Sequence, residues 1–446
     1  MKTAVPEGFV GAVLRQVLVI RLALLLVAVA SDWLVRDYDQ SEVALKCGEL
    51  FSGGDIGWWV LSMDCMVRRL LGGLGVWDAV YFRGLAERGG YLFEQELAFQ
   101  PLLPTGLFWG ARLGALLSRC VPLSPAAWGL IAGALISLVS SFIAAHELLL
   151  LTLHFFPDPH FARRVALLFA WSPAGVFLAA IYTEAPFAAL SLLSLRLLLA
   201  SRRPFAASLA LTLAGLLRAN AFLLAPFFLA RAWLVHPWPR RATALPLWVP
   251  TILQAALPFL PFVALQLAAA AWFCPSRPWC LSWPIPAPYA FVQAFYWGNG
   301  LFSYWQVKQI PNFIAAAPML LFSLWNVGLY LSRFFATASR SRNLAIWGFS
   351  SASPITSTTT SPSTIRTHLS SPLLLPFFLY WLLLTLVCFF AMHVQVMTRF
   401  LSAIPCIYWC AASHPKGSFM GRLILIYFVA YNLIGAILFP NFYPWT

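Results

Sequence analysis

Apolar residues in this chain run in long continuous blocks separated by short polar punctuation, a pattern of membrane helices rather than of alternating barrel strands. The first block spans Phe9 to Ala30, interrupted by Arg15 and Arg21. It is longer than a signal-peptide core and lacks a small-x-small cleavage site, so it predicts an uncleaved first span. A polar segment from Ser31 to about Gln100 follows, with 11 acids against six bases, which suits a long first luminal loop (32–100). Apolar blocks then alternate with basic clusters at Arg112/Arg119, Arg163/Arg164, Arg202/Arg203, Arg240/Arg241, Arg333/Arg340/Arg342 and Lys416/Arg422. If each cluster marks a cytoplasmic turn, an even number of crossings separates neighbours. Two short passes then fit between Arg119 and Arg163, turning near Ser137, Ser140 and Ser141.

The same phasing places luminal turns at Tyr182–Pro186 and at Arg218-Ala219-Asn220. A span near Pro246 to Trp272 leads to a Pro- and aromatic-rich luminal loop (274–312), and the chain returns through about Phe313 to Ala336. A Ser/Thr-rich cytoplasmic linker (339–371) follows. Passes near Leu373–Ala391, Phe400–Ala412 and Leu423–Phe439 complete the scheme. The expected fold class is an all-α polytopic membrane protein, one domain over 1–446, with roughly 11–13 passes, a cytoplasmic N-terminus and a luminal C-terminus.

Composition agrees with this and narrows the chemistry. With 446 residues, 61% hydrophobic and 10% charged, an ordinary soluble protein is excluded. The net charge of +14 is dispersed in short pairs that form no single basic face, so no nucleic-acid partner is expected. The eight cysteines and seven histidines show no CxxC, HxH or HxxxH spacing, which argues against a metal site. Cys274 and Cys280 share the second luminal loop, where a local disulfide is feasible.

All 15 acids lie at or before Glu184, so any carboxylate chemistry belongs to the first two-fifths of the chain. The predicted luminal turns collect Asp78, Gln100, Glu184, Arg218, Asn220, Lys308, Asn312, His393, Gln395 and Arg399. Ionisable groups at membrane depth usually line a cavity, although Glu184 or Arg218 alone would also suit a helix end snorkelling to the interface. Asp78 precedes an amphipathic run, which leaves two roles open: a helix N-cap or a catalytic carboxylate. His393, Gln395 and Arg399 fall on alternate positions and need an extended or broken helix to point together. Pro101 and Pro104 are either re-entry punctuation or the shape of a pocket floor. A transporter or flippase for a lipid-linked or anionic substrate would also place arginines in a cavity, but it predicts polar residues toward both leaflets.

Several blocks resemble the GPI mannosyltransferase 2 family. They are Trp77-Asp78-Ala79, Ala98-Phe99-Gln100-Pro101, Trp171-Ser172-Pro173-Ala174, Tyr182-Thr183-Glu184-Ala185 and Leu217-Arg218-Ala219-Asn220. Tyr296-Trp297-Gly298-Asn299-Gly300-Leu301, the run from Val307 to Phe313, the run from Met392 to Phe400 and the terminal run from Asn441 to Thr446 continue the match. The chain departs from the family pattern at Gln100 and at Ala219-Asn220-Ala221. The resemblance implies a GT-C type bundle whose first luminal loop carries the catalytic acid, Asp78. It implies inverting transfer of mannose from dolichyl-phosphate-mannose to the first mannose of the GPI precursor in the endoplasmic reticulum membrane, forming an alpha-1,6 bond. Another mannosyltransferase using the same donor is the alternative within this class. Arg399 is the first candidate for the donor phosphate, with Arg218 and Lys308 in reserve. His393, Gln395, Glu184, Trp77, Gln100, Asn220 and Asn312 are further substrate-binding candidates. No cofactor or obligatory metal is expected, because the lipid-linked donor carries its own phosphate. Expected partners are the lipid-linked donor, the GPI glycolipid, membrane lipids and a small accessory membrane subunit.

Overall fold

The apolar blocks become helices in a computed structural model that describes residues 6–38, 58–117, 121, 123–235, 245–281, 286–340, 362–415 and 417–445. Parts of the predicted acidic loop (39–57) and of the Ser/Thr-rich linker (341–361) lie outside the described residues. In chain order the first helices are α1 (Phe9–Leu34), α2 (Trp58–Leu71), α3 (Ala79–Arg88), α4 (Leu102–Leu117), α5 (Pro125–Phe155), α6 (Pro159–Ala170), α7 (Glu184–Leu199) and α8 (Pro204–Gly215). Among the described residues, six helices are long and apolar enough to cross a membrane: Phe9–Leu34, Pro125–Phe155, Trp248–Phe273, Val307–Ala336, Pro372–Phe390 and Phe419–Leu438. Shorter apolar helices stand beside them, at Leu102–Leu117, Pro204–Gly215 and Ala219–Trp233. The protein is an all-helical, multi-pass membrane protein.

Local chemistry explains where several of these helices begin. Ser124 caps α5 by accepting from the Ala127 amide, with Pro125 following it, and Asp158 with Pro159 does the same for α6. The turns expected at Tyr182–Pro186 and Arg218–Asn220 are present. An irregular segment runs from Trp171 to Thr183, and α8 gives way to a short 3-10 helix at Ala219–Leu224. The stretch expected as one pass from Phe400 to Ala412 is broken, with helix at Met397–Leu401 and again at Pro405–Ser413.

One expectation is overturned. No turn occurs at Ser137, Ser140 or Ser141, because α5 is a single helix of 31 residues, about 46 Å long. Helix-interior serines are tolerated where a partner is available, and the Ser137 hydroxyl donates to the Ala180 carbonyl at 2.5 Å. α4 packs antiparallel against the first half of α5, and glycines permit the close approach. A Cβ at Gly110 would lie 2.3 Å from that of Ala132, and one at Gly114 would lie 2.3 Å from the Trp128 ring. Arg112 therefore sits at the opposite end of α5 from Arg163 and Arg164, with one crossing between them instead of two. The arginine phase fails here because a positive-inside bias is statistical, whereas an unbroken helix of this length fits the membrane only as one pass. An N-glycosylation tag inserted near Val121 should be modified, and one near Ser357, in the predicted cytoplasmic linker, should not. Absence of modification at both positions would restore the arginine scheme.

Arg21 of α1 is almost wholly buried and donates to the backbone carbonyls of Phe169 and Gly175, at 3.1 and 3.3 Å. It fastens the irregular segment that carries Tyr182. A second, smaller core forms on the side of the long loops, around Leu97, Leu265, Trp279 and Val292. There Glu94 accepts from the Trp279 indole at 3.1 Å and from the Tyr296 hydroxyl at 2.7 Å. The bond to Glu94 pushes the Tyr296 phenol above its ordinary range. Cys274 and Cys280 are joined in a disulfide, as the shared loop suggested. This hairpin holds the Pro288–Phe295 helix in place, and that helix supplies one wall of the site.

Candidate active site

Five polar residues of the predicted luminal turns, Asp78, Arg218, Asn220, His393 and Arg399, line one cavity of about 360 Å³. Asp78 stands directly before α3, where a capping residue belongs, yet its side chain makes no capping hydrogen bond. Its carboxylate instead accepts from the Arg399 guanidinium at 2.9 Å. Trp77, just before it, is in the left-handed region with φ of 59°, a conformation that costs energy for an aromatic residue and clusters at functional sites. Tertiary contacts hold the turn there. The Tyr182 hydroxyl accepts from the Asp78 amide at 3.0 Å, and the Trp77 indole donates to the Phe439 carbonyl at 3.2 Å.

Behind Asp78 the charges alternate. Glu184, in the first turn of α7, is 1% exposed and accepts from Arg399 Nε at 2.8 Å and from Arg218 Nη1 at 2.7 Å. Asp78, Arg399, Glu184 and Arg218 thus form a neutral row of two carboxylates and two guanidiniums. The buried members tolerate desolvation because each is paired. The α7 N-terminus also favours an anion at Glu184. Arg399 lies over the rings of Phe177 and Tyr182, with centroids at 4.7 and 5.0 Å, and Arg218 lies over Phe400 at 4.6 Å. Neither Glu184 nor Arg218 snorkels to an interface. Both are anchored inside the bundle.

His393 and Arg399 both face the cavity because the helix is broken between them, as their spacing required. His393 Nε2 lies 2.7 Å from the Trp297 carbonyl, which can only accept, so that nitrogen carries the proton. Its ring stacks on Tyr304 at 4.4 Å. Asn220 also lines the cavity, and its amide nitrogen has no hydrogen-bond partner among the described residues. The other expected residues are placed elsewhere. Lys308 is exposed and does not line the cavity, which removes it as a phosphate reserve. Asn312 donates to Tyr304 and Gln309, both at 2.7 Å, and so supports the His393 platform from behind. Gln395 does not line the cavity and instead hydrogen-bonds Tyr304, and Gln100 is buried outside the lining with its amide unpartnered among the described residues. Trp77 braces the turn before Asp78 rather than lining the space.

Sequence reasoning missed part of the wall. Phe82 lies one helical turn after Asp78 on α3, and Tyr289 and Gln293 are one turn apart on the Pro288–Phe295 helix. The i, i+4 spacing was a usable signal for both pairs. Trp297 and Asn299 also line it, and the Trp297 indole nitrogen and Asn299 Oδ1 have no partner among the described residues. Aromatic faces beside unpartnered amides and an indole can hold a sugar by stacking and by hydrogen bonds to its hydroxyls. A carboxylate and two arginines at the same wall can handle a proton and a phosphate anion.

A family model described as mannosyltransferase (PIG-V) matches residues 10–446. The chain is 31% identical to a protein of Drosophila pseudoobscura pseudoobscura named GPI mannosyltransferase 2, over 86% of this chain and 89% of the relative. It is 30% identical to one of Mus musculus named GPI alpha-1,6-mannosyltransferase 2, over 86% of this chain and 90% of the relative. A Yarrowia lipolytica protein named GPI mannosyltransferase 2 is also 30% identical, over 84% of this chain and 88% of the relative. No solved structure matches.

Proposed function

The chain belongs to the mannosyltransferase (PIG-V) family, and from that premise we propose that it transfers mannose from dolichyl-phosphate-mannose to the first mannose of the GPI precursor. The transfer forms an alpha-1,6 linkage, the second mannose of the anchor. The cavity opens to the lumen of the endoplasmic reticulum, with the N-terminus cytoplasmic. The observation that carries the chemistry is the Asp78–Arg399 pair on the cavity wall, with Asp78 excused from capping its helix.

In the proposed step the 6-hydroxyl oxygen of the acceptor mannose attacks C1 of the donor mannose. The bond from C1 to the phosphate oxygen breaks, and its electron pair leaves with dolichyl phosphate. The hydroxyl proton passes to Asp78, the general base. Phosphate leaves as a stable anion, so no second carboxylate is needed to protonate it, unlike the paired carboxylates of a glycosidase. Attack from the face opposite the leaving group inverts the beta-linked donor to an alpha product. Arg399 and Arg218 bind the phosphate. An incoming phosphate competes with Asp78 for Arg399, which frees the carboxylate when the donor is in place. Asn220, Trp297 and Asn299 hold sugar hydroxyls, and His393 orients that wall through Trp297. No step is assigned to a metal ion.

Expression in cells that lack the second GPI mannose should remove the accumulated one-mannose precursor. Persistence of that precursor beside a well-expressed, membrane-integrated protein would overturn the assignment. Transfer in isolated membranes should survive chelation with EDTA within about twofold. A loss of tenfold or more that added divalent cation restores would place a metal in the reaction.

A further inference from the structure

Two cavities meet at Leu217. This residue lines the polar cavity beside Arg218, and it also closes one end of an apolar groove of about 350 Å³ between α4, α5 and α7. Each of the longer walls is a stripe at helical period: Ile136, Ser140 and Ile143 on α5, and Pro186, Leu190 and Leu193 on α7. Gly106 of α4 leaves the third side open, since it carries no side chain into the space. From Pro186 to Leu193 the groove follows α7 for about 10 Å, starting two residues after Glu184 and running toward the other end of the bundle. Ile143, at its outer side, is 41% exposed, which opens the groove to the surrounding lipid. Three other grooves, around Trp272, Phe227 and Arg112, share no lining residue with the polar cavity.

We propose that this groove binds the first isoprene units of the donor's polyprenyl chain, while the phosphate sits at Arg218 and Arg399. The inference rests on the proposed mannosyl transfer and adds the subsite that recognises the lipid. An amphipathic donor with its charge at the arginines needs an apolar channel that begins within a residue of them and descends into the bilayer. The hydroxyl of Ser140 is the sole polar side-chain group on the groove lining. A sugar or phosphate would find almost nothing to bond there, whereas a hydrocarbon chain leaves almost nothing unsatisfied.

The test compares two donors in membranes that contain the full chain: dolichyl-phosphate-mannose and isopentyl-phosphate-mannose, whose single isoprene unit is too short to fill the groove. Ser140→Phe and Leu193→Trp obstruct it from opposite walls. Each should raise the KM for the long-chain donor about tenfold or more, the equivalent of two methylenes removed from contact. The KM and kcat for the short-chain donor should stay within about twofold of wild type, which also reports that the variant is folded. Free dolichyl phosphate should inhibit wild type better than isopentyl phosphate, and both variants should lose that difference. Unchanged long-chain KM in both variants, equal losses with both donors, or a rise confined to the acceptor KM would each overturn the groove assignment. If wild type used neither donor, the proposed transfer would fall first and the groove with it, a result distinct from the preceding three.

Discussion

Asp78→Asn should abolish mannose transfer while the protein remains folded in the membrane. The exchange keeps the size of the side chain and removes its basicity. Loss of a general base costs on the order of 100-fold or more in rate. A helix cap would predict a different result, a modest loss of stability with near-normal turnover, but the carboxylate makes no capping bond and faces Arg399 instead. Arg399 keeps Glu184 as a partner in the variant, so the abundance of the protein should fall little. Its freed hydrogen-bonding edge should leave the donor KM unchanged or lower. The measurement is restoration of surface GPI-anchored proteins at endogenous expression, with abundance followed in parallel. Near-normal restoration would rule out Asp78 as the base.

Glu184→Gln should be the most destabilising single exchange in the site. It leaves two guanidiniums, Arg399 and Arg218, without the carboxylate they share in a position 1% exposed. Breaking a buried pair from one side costs about 3–5 kcal/mol, enough to reduce steady-state abundance several-fold. Arg399→Gln should also destabilise, and the double variant should be less harmful than the sum, because each single change strands the other's partner. Arg399→Lys separates structure from donor binding. It keeps the charge, so the fold should survive, but it loses the planar fork that serves two oxygens at once, and the donor KM should rise about tenfold. A stability cycle with strong coupling, together with an unchanged donor KM in Arg399→Lys, would confine Arg399 to a structural role.

The helical membrane class was legible because its cause is local: continuous apolar blocks of span length have few alternatives in lipid. The breaks at Tyr182–Pro186 and around Arg218 were legible for the same reason, since polar groups and proline interrupt those runs. Ser137, Ser140 and Ser141 misled because a serine in an apolar run reads as a turn until its partner is known. For Ser137 that partner is the Ala180 carbonyl, 43 residues away. The Cys274–Cys280 bridge needed only proximity in one loop.

At the site, the chain order exposes the residue types and the end of the bundle where they gather, but not their pairing. Arg399 meets Glu184 across 215 positions and Asp78 across 321, and hydropathy carries no information about contacts at such separations. The same holds for the terminal Asn441-to-Trp445 run. Asn441 accepts the Tyr38 amide through its carbonyl and donates to Ser31, while Phe442 packs against Trp77, so this segment braces the turn that presents Asp78. Lys308 and Gln395 stand in the right segments but do not line the cavity, because each lies in a 3-10 turn whose side-chain directions the pattern of residues leaves open. Residue type and hydrophobic period act within a few positions and are written in the chain. Which carboxylate holds which arginine depends on the packing of whole helices, where a shift of one residue in register would re-pair every charge.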